Sequence, residues 1–370
     1  MAIPLCPYFG SCGGCSAQHI DYTVQIENKR KVLTQITGCD TIEVFSGKEY
    51  FYRNRMDFIF HARGLGLREK GNWRKIIPIE KCVIAEEKIQ LFLEEITTFL
   101  PHPDAFDLQK QSGTFRYAVI RTTPKTSSIS FVLNADSTRI GEAIEKIKEF
   151  AKISTAKNIL VTYVPHNTDM SVSEDYFVIK GTDMLETSFL HKNFFHHAQG
   201  FFQNNYAMAE EMQGYVHKLL STYSTKEAIL LDLFGGVGTF GICNSDLFKE
   251  TLIVESVVQA IKAAEKNIEK NKSQHTKARL MDAKQIKKLE LKRPLYVIAD
   301  PPRTGMEQQS IQTLKEWQPE VLIYISCNPQ QLAKDLPKFK DYEIKSAALF
   351  DLFPQTPHSE AIVELQLKSE

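Results

Sequence analysis

A strand, a glycine-rich turn and a helix follow one another without a break in the second half of the chain. Residues 229–233 form an apolar run that predicts a buried strand, and Phe234-Gly235-Gly236-Val237-Gly238-Thr239 comes directly after it. A second predicted strand, residues 251–254, leads to Glu255, where an acid can accept hydrogen bonds from ribose hydroxyls. Because glycines between a strand and a helix let the backbone approach a nucleotide closely, this order indicates a Rossmann-like site.

The next predicted strand, residues 295–299, leads into Asp300-Pro301-Pro302-Arg303-Thr304-Gly305. The two prolines make a rigid turn that directs Asp300 into the crevice at the carboxyl edge of a sheet. Such a turn is typical of methyltransferases that act on planar nitrogen or carbon. Further helices and strands are predicted over residues 257–271, 307–317, 342–349 and 361–367. Together these elements predict an α/β domain with a doubly wound, mostly parallel sheet.

A thiol stands at the end of another predicted strand, in Tyr324-Ile325-Ser326-Cys327-Asn328-Pro329. The carboxyl ends of parallel strands form the ligand crevice, so this position would expose Cys327 to a substrate. A lone cysteine is more often a buried, unreactive residue, and its position alone does not separate the two interpretations.

Four other cysteines form a candidate metal site. Cys6, Cys12 and Cys15 stand in CPYFGSCGGC, and Cys82 follows a predicted hairpin over residues 65–79. Four thiolates can hold an iron–sulfur cluster or a structural zinc ion. The spacing favours the cluster, because zinc sites usually have two C-x2-C pairs and this chain has one. Either metal would fasten the glycine-rich start of the chain to the hairpin.

Short apolar runs between residues 42 and 202 predict an α+β domain. Antiparallel strands are predicted at residues 117–121, 129–133, 159–163 and 176–179, and helices at residues 85–100 and 138–153. The expected domains are therefore residues 1–202 and 203–370. No apolar run is long enough to cross a bilayer and the start does not resemble a signal peptide, so a cytoplasmic protein is expected.

The formal net charge is zero, so nothing global indicates nucleic-acid binding. One stretch, residues 52–75, is locally basic and also holds Tyr52, Phe58, Phe60 and Trp73. That combination suits a pair of strands that contact RNA, and it suits a solvated sheet face equally well.

Taken together, the motifs resemble those of the S-adenosylmethionine-dependent RNA uracil-5-methyltransferases that carry an amino-terminal four-iron four-sulfur cluster. The resemblance extends almost from end to end through CPYFGSCGGC with Cys82, FFQNN, DLFGGVGTF, DPPRTG, YISCNP and PHSEAIVEL. It implies a class I methyltransferase domain that binds S-adenosylmethionine and methylates carbon 5 of an RNA uridine. The roles that it implies are cluster ligands Cys6, Cys12, Cys15 and Cys82, cofactor contacts Gln203, Phe234, Glu255 and Asp300, nucleophile Cys327 and base Glu360.

Three features depart from the family pattern or extend it. Gly235 stands where the family often has cysteine, a change expected only to free the turn. The chain starts close to the cluster motif, without the small β-barrel that some members carry in front.

This layout resembles members that modify 23S ribosomal RNA, which is the expected target, with a tRNA uridine as the alternative. Asp282 is a weak candidate for holding the adenine. No obligate protein partner is evident.

The implied chemistry makes demands on several side chains. A thiolate that adds to carbon 6 of uracil makes carbon 5 nucleophilic. A cysteine of ordinary pKa is only about 3% thiolate at pH 7, so the site is expected to lower the pKa of Cys327 to about 7. Arg303 could supply positive potential, contact the substrate, or only form a salt bridge at a helix start. The target base must flip out of its stack, with Phe202 and Phe234 as stacking candidates.

Two alternatives have different chemistry. An amino-methyltransferase acting on adenine or cytosine also uses a D-P-P turn, but it usually has an aromatic residue after the prolines and needs no thiol; Arg303 and Cys327 therefore oppose it. A non-catalytic RNA-binding iron–sulfur protein would have no need for both Cys327 and Glu360.

Overall fold

A computed structural model describes residues 2–369. In this part of the chain the helices are α1 (Tyr22–Thr37), α2 (Glu87–Phe99), α3 (Ile140–Ile153), α4 (Tyr206–Ser221), α5 (Thr239–Asn244), α6 (Val258–Lys270), α7 (Gln308–Trp317) and α8 (Pro329–Asp335). The strands are β1 (Glu43–Phe45), β2 (Arg55–His61), β3 (Gly64–Glu69), β4 (Asn72–Pro78), β5 (Phe115–Thr122), β6 (Ser127–Asn134), β7 (Asn158–Val164), β8 (Tyr176–Lys180), β9 (Met184–Phe189), β10 (Lys192–His197), β11 (Ile229–Leu233), β12 (Glu250–Glu255), β13 (Thr276–Leu280), β14 (Leu295–Ala299), β15 (Val321–Ser326), β16 (Tyr342–Phe350) and β17 (Glu360–Leu367).

The chain divides into two compact units, each made of several segments. The first unit takes in the chain up to Tyr22, Lys48–Thr187 and His197–Tyr206, and the second takes in the remainder. The expected division into residues 1–202 and 203–370 therefore assigns helix α1 and strand β1 to the wrong unit. The cause is a long-range pairing: β1 lies parallel to β16, with Val44 opposite Leu349.

The second unit is built on an eight-stranded sheet with the strand order β1-β16-β17-β15-β14-β11-β12-β13. Strands β11 to β15 pair in parallel, and β17 runs antiparallel to both of its neighbours. The chain order reverses on the two sides of β11, which is where such sheets open a ligand crevice at their carboxyl edge. The predicted doubly wound, mostly parallel sheet is confirmed.

Both faces of this sheet are covered. Alternate residues of β11 belong to separate buried clusters: Leu231 and Leu233 pack on one face, and Leu230 packs on the other. Parallel strands buried on both faces are almost continuously apolar, which explains why these runs could be recognised in the sequence.

The first unit contains a seven-stranded sheet with the order β4-β3-β2-β5-β6-β7-β8. Helices α2 and α3 contribute Phe92 and Phe150 to a core that they share with Phe58, Phe60 and Phe131 of the sheet. Most of its ladders are antiparallel, as predicted. Strands β6 and β7 are parallel instead, because helix α3 connects them and returns the chain to the same end of the sheet.

The glycine turn after β11 is packed tightly against β12. A Cβ atom on Gly235 would lie 2.7 Å from Ile253 Cγ2 and 2.9 Å from Asp232 Oδ2, and one on Gly241 would lie 2.8 Å from Ile253 Cγ1. The glycine at position 235 therefore does more than free the turn, contrary to the expectation. In this chain Ile253 occupies the space that a side chain would need.

Replacing Gly235 with alanine is expected to lower the free energy of unfolding by about 1–3 kcal/mol, because the added methyl group must displace Ile253 or Asp232. The midpoint of thermal unfolding measures the change. Gly141→Ala is the control, since a Cβ atom there would meet nothing within 4 Å. An unchanged midpoint for Gly235→Ala relative to the wild-type protein would show that the turn accommodates a side chain freely.

Within residues 2–369, no helix combines the length and the apolar character needed to cross a membrane.

Candidate active site

Several of the predicted site residues meet at the carboxyl edge of the eight-stranded sheet. Glu255 ends β12, Asp300 follows β14 and Cys327 follows β15. Glu360 begins β17, which is antiparallel to β15 with Ala361 opposite Ser326. This register places Glu360 beside Cys327, although the two lie far apart in sequence.

The charges around Cys327 favour its neutral thiol. The pKa of Cys327 is raised to about 11, first by burial and then by the negative charges of Glu360 and Asp300, whereas Arg303 lowers it. Burial and Asp300 also raise the pKa of Glu360 well above its ordinary value, again opposed by Arg303. The expected lowering of the thiol pKa is therefore wrong for the protein by itself. Only Arg303 acts in the expected direction.

Three carboxyl groups interact in the crevice behind Cys327. Burial raises the pKa of Asp232 to about 7, and the charges of Asp300 and Glu255 also raise it, while a hydrogen bond from the Gly241 amide lowers it. Burial likewise raises the pKa of Asp300 to about 7. Asp232 Oδ2 accepts the Gly241 N–H at 2.7 Å, whereas its Oδ1 has no hydrogen-bond partner within residues 2–369. Asp232 stands in the sequence motif DLFGGVGTF, but no role was predicted for it, although an acid inside an apolar strand indicates a special site.

This acidic crevice fits a cationic ligand. A nearby positive charge favours the ionised form of a carboxyl group or thiol, so it would lower the pKa of Asp232, Asp300, Glu360 and Cys327 together. S-adenosylmethionine carries an ammonium and a sulfonium group and meets that requirement. The residues present therefore suit the cofactor that the sequence motifs imply.

The loops around the crevice are held by backbone hydrogen bonds. Glu255 Oε2 accepts the Gly236 N–H at 3.1 Å, and Oε1 accepts the amides of Ser256 at 2.7 Å and Val257 at 2.8 Å. Phe234 has a φ of 62°. Such a conformation is strained for a bulky residue and is found mainly where a binding site requires it.

Asn328 joins the two loops that carry Cys327 and Arg303. Its side-chain oxygen caps helix α8 by accepting the amides of Gln330 and Gln331, while its Nδ2 donates to the Arg303 carbonyl at 2.9 Å. The Asn-Pro pair at a helix start was the available sequence signal for this cap. The proposed salt bridge at the start of helix α7 is made by Glu307 with Lys284, and not by Arg303.

Three other candidates have contacts of their own in the structure. Asp282 caps a short 3-10 helix by accepting the Lys284 N–H at 2.9 Å. Gln203 belongs to the first unit, where its carbonyl accepts from Asn54 Nδ2 at 3.2 Å. Phe202 is buried beside Tyr206, so its ring is not presented to a base, whereas Phe201 is exposed.

Within the first unit, the four predicted cluster ligands line one cavity of about 540 Å³; they are Cys6, Cys12, Cys15 and Cys82. Amide groups point at two of the sulfurs. Gly14 N lies 3.4 Å from Cys12 Sγ, and the backbone amides of Ile84 and Ala85 hydrogen-bond Cys82. However, no group of three or more His, Cys, Asp or Glu side chains in residues 2–369 is arranged to hold a metal ion. The arrangement of the side chains thus does not by itself support the expected metal site.

Alkylation of Cys327 should report its raised pKa. With a pKa of about 11, the thiolate fraction and the alkylation rate should rise about tenfold per pH unit up to about pH 10. Glu360→Gln removes a charge that raises this pKa, so it should speed alkylation at alkaline pH. Mass spectrometry of the Cys327 peptide after timed exposure to iodoacetamide gives the rate. A rate that levels off near pH 8 would contradict the raised pKa.

The open parallel sheet, the glycine turn and the acidic crevice are the features expected of a Rossmann-like methyltransferase. Comparison with known proteins narrows this class. The model of the family tRNA (uracil-5-)-methyltransferase matches residues 21–368. The chain therefore belongs to this family, and it is an S-adenosylmethionine-dependent RNA uracil-5-methyltransferase.

Individual relatives agree with this assignment. A tRNA (uracil(54)-C(5))-methyltransferase of Pyrococcus horikoshii is 30% identical over 362 residues, covering 97% of this chain and 85% of the relative. An uncharacterised RNA methyltransferase of Listeria monocytogenes is 30% identical over 387 residues, with 99% and 84% covered. The crystal structure of the Pyrococcus abyssi tRNA (uracil-54, C5)-methyltransferase with S-adenosyl-L-homocysteine is similar with a TM-score of 0.80 and 27% identity, covering 95% of this chain and 85% of that one.

Proposed function

We propose that this enzyme methylates carbon 5 of a tRNA uridine through a covalent bond between Cys327 and the uracil ring. The observation that carries the proposal is the pairing of β15 with β17, which sets a thiol and a buried carboxyl group side by side at the edge of an acidic crevice. S-adenosylmethionine, when bound, supplies the methyl group.

The chain's own residues would act in order. Cys327 loses its proton to solvent, and its sulfur adds to carbon 6 of the uracil. The ring, now an enolate, becomes nucleophilic at carbon 5 and takes the methyl group. Glu360 then removes the proton from carbon 5, the bond between carbon 6 and sulfur breaks, and the thiolate leaves. Arg303 favours the thiolate by its charge.

The charges in the crevice indicate the order of the reaction steps. Without a cation, Cys327 keeps its proton because burial and its acidic neighbours raise the pKa of the thiol. A cationic cofactor would lower that pKa. The nucleophile would therefore be generated when the methyl donor is present, and unproductive addition to uracil would be suppressed before then.

A tRNA uridine is better supported as the target than the 23S ribosomal RNA expected from the layout of the motifs. The Pyrococcus relatives named for a substrate act on uracil 54 of tRNA. We propose the equivalent uridine here, which would place the activity in the cytoplasm.

A four-iron four-sulfur cluster held by Cys6, Cys12, Cys15 and Cys82 remains part of the proposal. Its support is the shared cavity and the amides directed at Cys12 and Cys82, since hydrogen bonds to sulfur are a feature of such sites. A cluster is larger than a single ion, so its ligands stand further apart than those of one metal. Its role would be to fasten the start of the chain.

Anaerobic purification should give brown protein with about four iron atoms and about four acid-labile sulfides per chain. Cys82→Ser should lose both the colour and the iron, whereas Cys39→Ser should keep them. Colourless wild-type protein that contains stoichiometric zinc would favour a structural zinc ion at these cysteines. Protein that contains neither iron nor zinc would refute the proposed metal site.

The direct test of the function is transfer of label from methyl-labelled S-adenosylmethionine to unmodified transcripts. We expect 5-methyluridine in tRNA and its loss when uridine 54 of the transcript is changed to cytidine. Labelling of 23S ribosomal RNA in place of tRNA would reverse the choice of target. Label found on adenine or cytosine would refute carbon-5 chemistry altogether.

A further inference from the structure

The β3–β4 hairpin in the first unit presents an aromatic ring to solvent. Trp73 is 55% exposed, whereas Tyr52, Phe58 and Phe60, the other aromatic residues of this basic stretch, are buried in the core. Those three cannot stack on a base, so Trp73 alone keeps the role that the sequence suggested for all four. A single exposed aromatic residue is common in proteins and implies nothing by itself.

The surroundings of Trp73 hold it in place. The Arg68 guanidinium donates to the Trp73 carbonyl, donates to the Tyr117 hydroxyl at 3.1 Å, and pairs with Asp169 at 2.7 Å. The guanidinium groups of Arg68 and Arg74 lie 5.6 Å and 5.1 Å from the centre of the indole ring, within the range of cation–π attraction. An exposed ring that is fixed in this way loses little freedom when it binds a partner.

The charge of the hairpin is positive and partly unused. Asp169 pairs with Arg68, and Glu69 pairs with Lys75 at 2.5 Å. Lys70 and Arg74 are exposed and form no ion pair within residues 2–369. Exposed cations on an edge strand such as β4 also discourage aggregation, but that purpose does not account for a fixed, exposed indole between them.

The tip of the hairpin is tied to the cysteine segment, residues 6–15. Lys70 N donates to the Ser11 carbonyl at 2.7 Å, and Gly13 N donates to the Arg68 carbonyl at 2.9 Å. These main-chain bonds make the cysteine segment a support for the hairpin tip. The surface around Trp73 is therefore a built feature of the unit and not a free turn.

From these observations we infer that Lys70, Trp73 and Arg74 form a contact surface for the RNA substrate. The indole ring stacks on an unpaired base, and the two cations bind the phosphates on either side of it. The inference rests on the proposed function, because it assumes that RNA is the substrate, and it adds where in the first unit that RNA is held.

Fluorescence can observe this contact directly. The chain has two tryptophans, so Trp317→Phe leaves Trp73 as the only source of tryptophan emission. Titration with an unmodified tRNA transcript should quench its emission in a saturable way. In the otherwise unchanged protein, Trp73→Ala should weaken tRNA binding about tenfold. Lys70→Ala and Arg74→Ala should each make tRNA binding less sensitive to salt. The slope of log affinity against log salt concentration should become less steep by about one for each variant.

Leu91→Ala is the matched control, since Leu91 is 57% exposed on helix α2 of the same unit; it should leave tRNA affinity unchanged. Unaltered affinity and emission for the hairpin variants, with methylation intact, would overturn this inference and leave the proposed function standing. Failure of the wild-type enzyme to bind or methylate any RNA would overturn the proposed function itself. If Trp73→Ala changed the oligomeric state and not RNA affinity, the surface would belong to a protein interface and the inference would fail.

Discussion

Cys327→Ala is expected to abolish methyl transfer, with a loss of at least about 10⁴-fold in rate, because the proposed route activates carbon 5 of uracil by adding this thiol to carbon 6. The rate is measured as label transferred to a tRNA transcript. The wild-type reaction should give an RNA-linked protein band that survives denaturation, and the variant should lose this band. Its fold and its cofactor affinity should remain, since the thiol is not needed to hold β15 in the sheet.

Cys39→Ala is the matched control, because Cys39 is a half-buried cysteine of the same unit that lies away from the crevice. It should keep full activity and the RNA-linked band. If Cys327→Ala retained turnover, the covalent route would be refuted, even though the family assignment would be unaffected.

Glu360→Gln is expected to stop the reaction one step later. The amide cannot take the proton from carbon 5, so the methylated ring should remain bound to Cys327, and turnover should fall by about 10²–10⁴-fold. Denaturing electrophoresis should show the RNA–protein adduct accumulating to about one per enzyme. Mass spectrometry of the trapped nucleotide should find the methyl group already in place.

Three outcomes test whether Glu360 acts as the base that removes the proton from carbon 5. The double variant Cys327→Ala with Glu360→Gln should form no adduct, which would show that the trapped species contains the thiol. Normal turnover of Glu360→Gln would mean that another base removes the proton. An adduct without the methyl group would mean that Glu360 acts before methyl transfer and not after it.

The predictable part of this fold came from patterns that are local in sequence. The apolar run of β11, the glycines that follow it and the prolines after β14 each define a strand end by themselves, and together they predict the sheet. The parallel direction of β6 and β7 was missed because it depends on the path of helix α3 above the sheet. Strand direction is a property of the connection and not of the strand.

The candidate site shows the same limit in its electrostatics. The sequence motifs predicted Cys327 and Glu360 as site residues. The pKa of the thiol, however, depends on how deeply it is buried and on which carboxyl groups face it. Those neighbours come from β14 and β17, far away in the chain. The role of Asp232 could not be predicted for a related reason: its raised pKa follows from its burial and from the charges of Asp300 and Glu255.

The pairing of β1 with β16 sets the order in which the enzyme can be completed. Helix α1 and β1 are synthesised long before their partners: Lys29 forms a buried ion pair with Asp351 at 2.6 Å, and Gln25 bonds Gln355 at 3.0 Å. Contacts of such long separation form late in folding. During synthesis, β1 therefore remains without its partner strand until β16 has emerged from the ribosome.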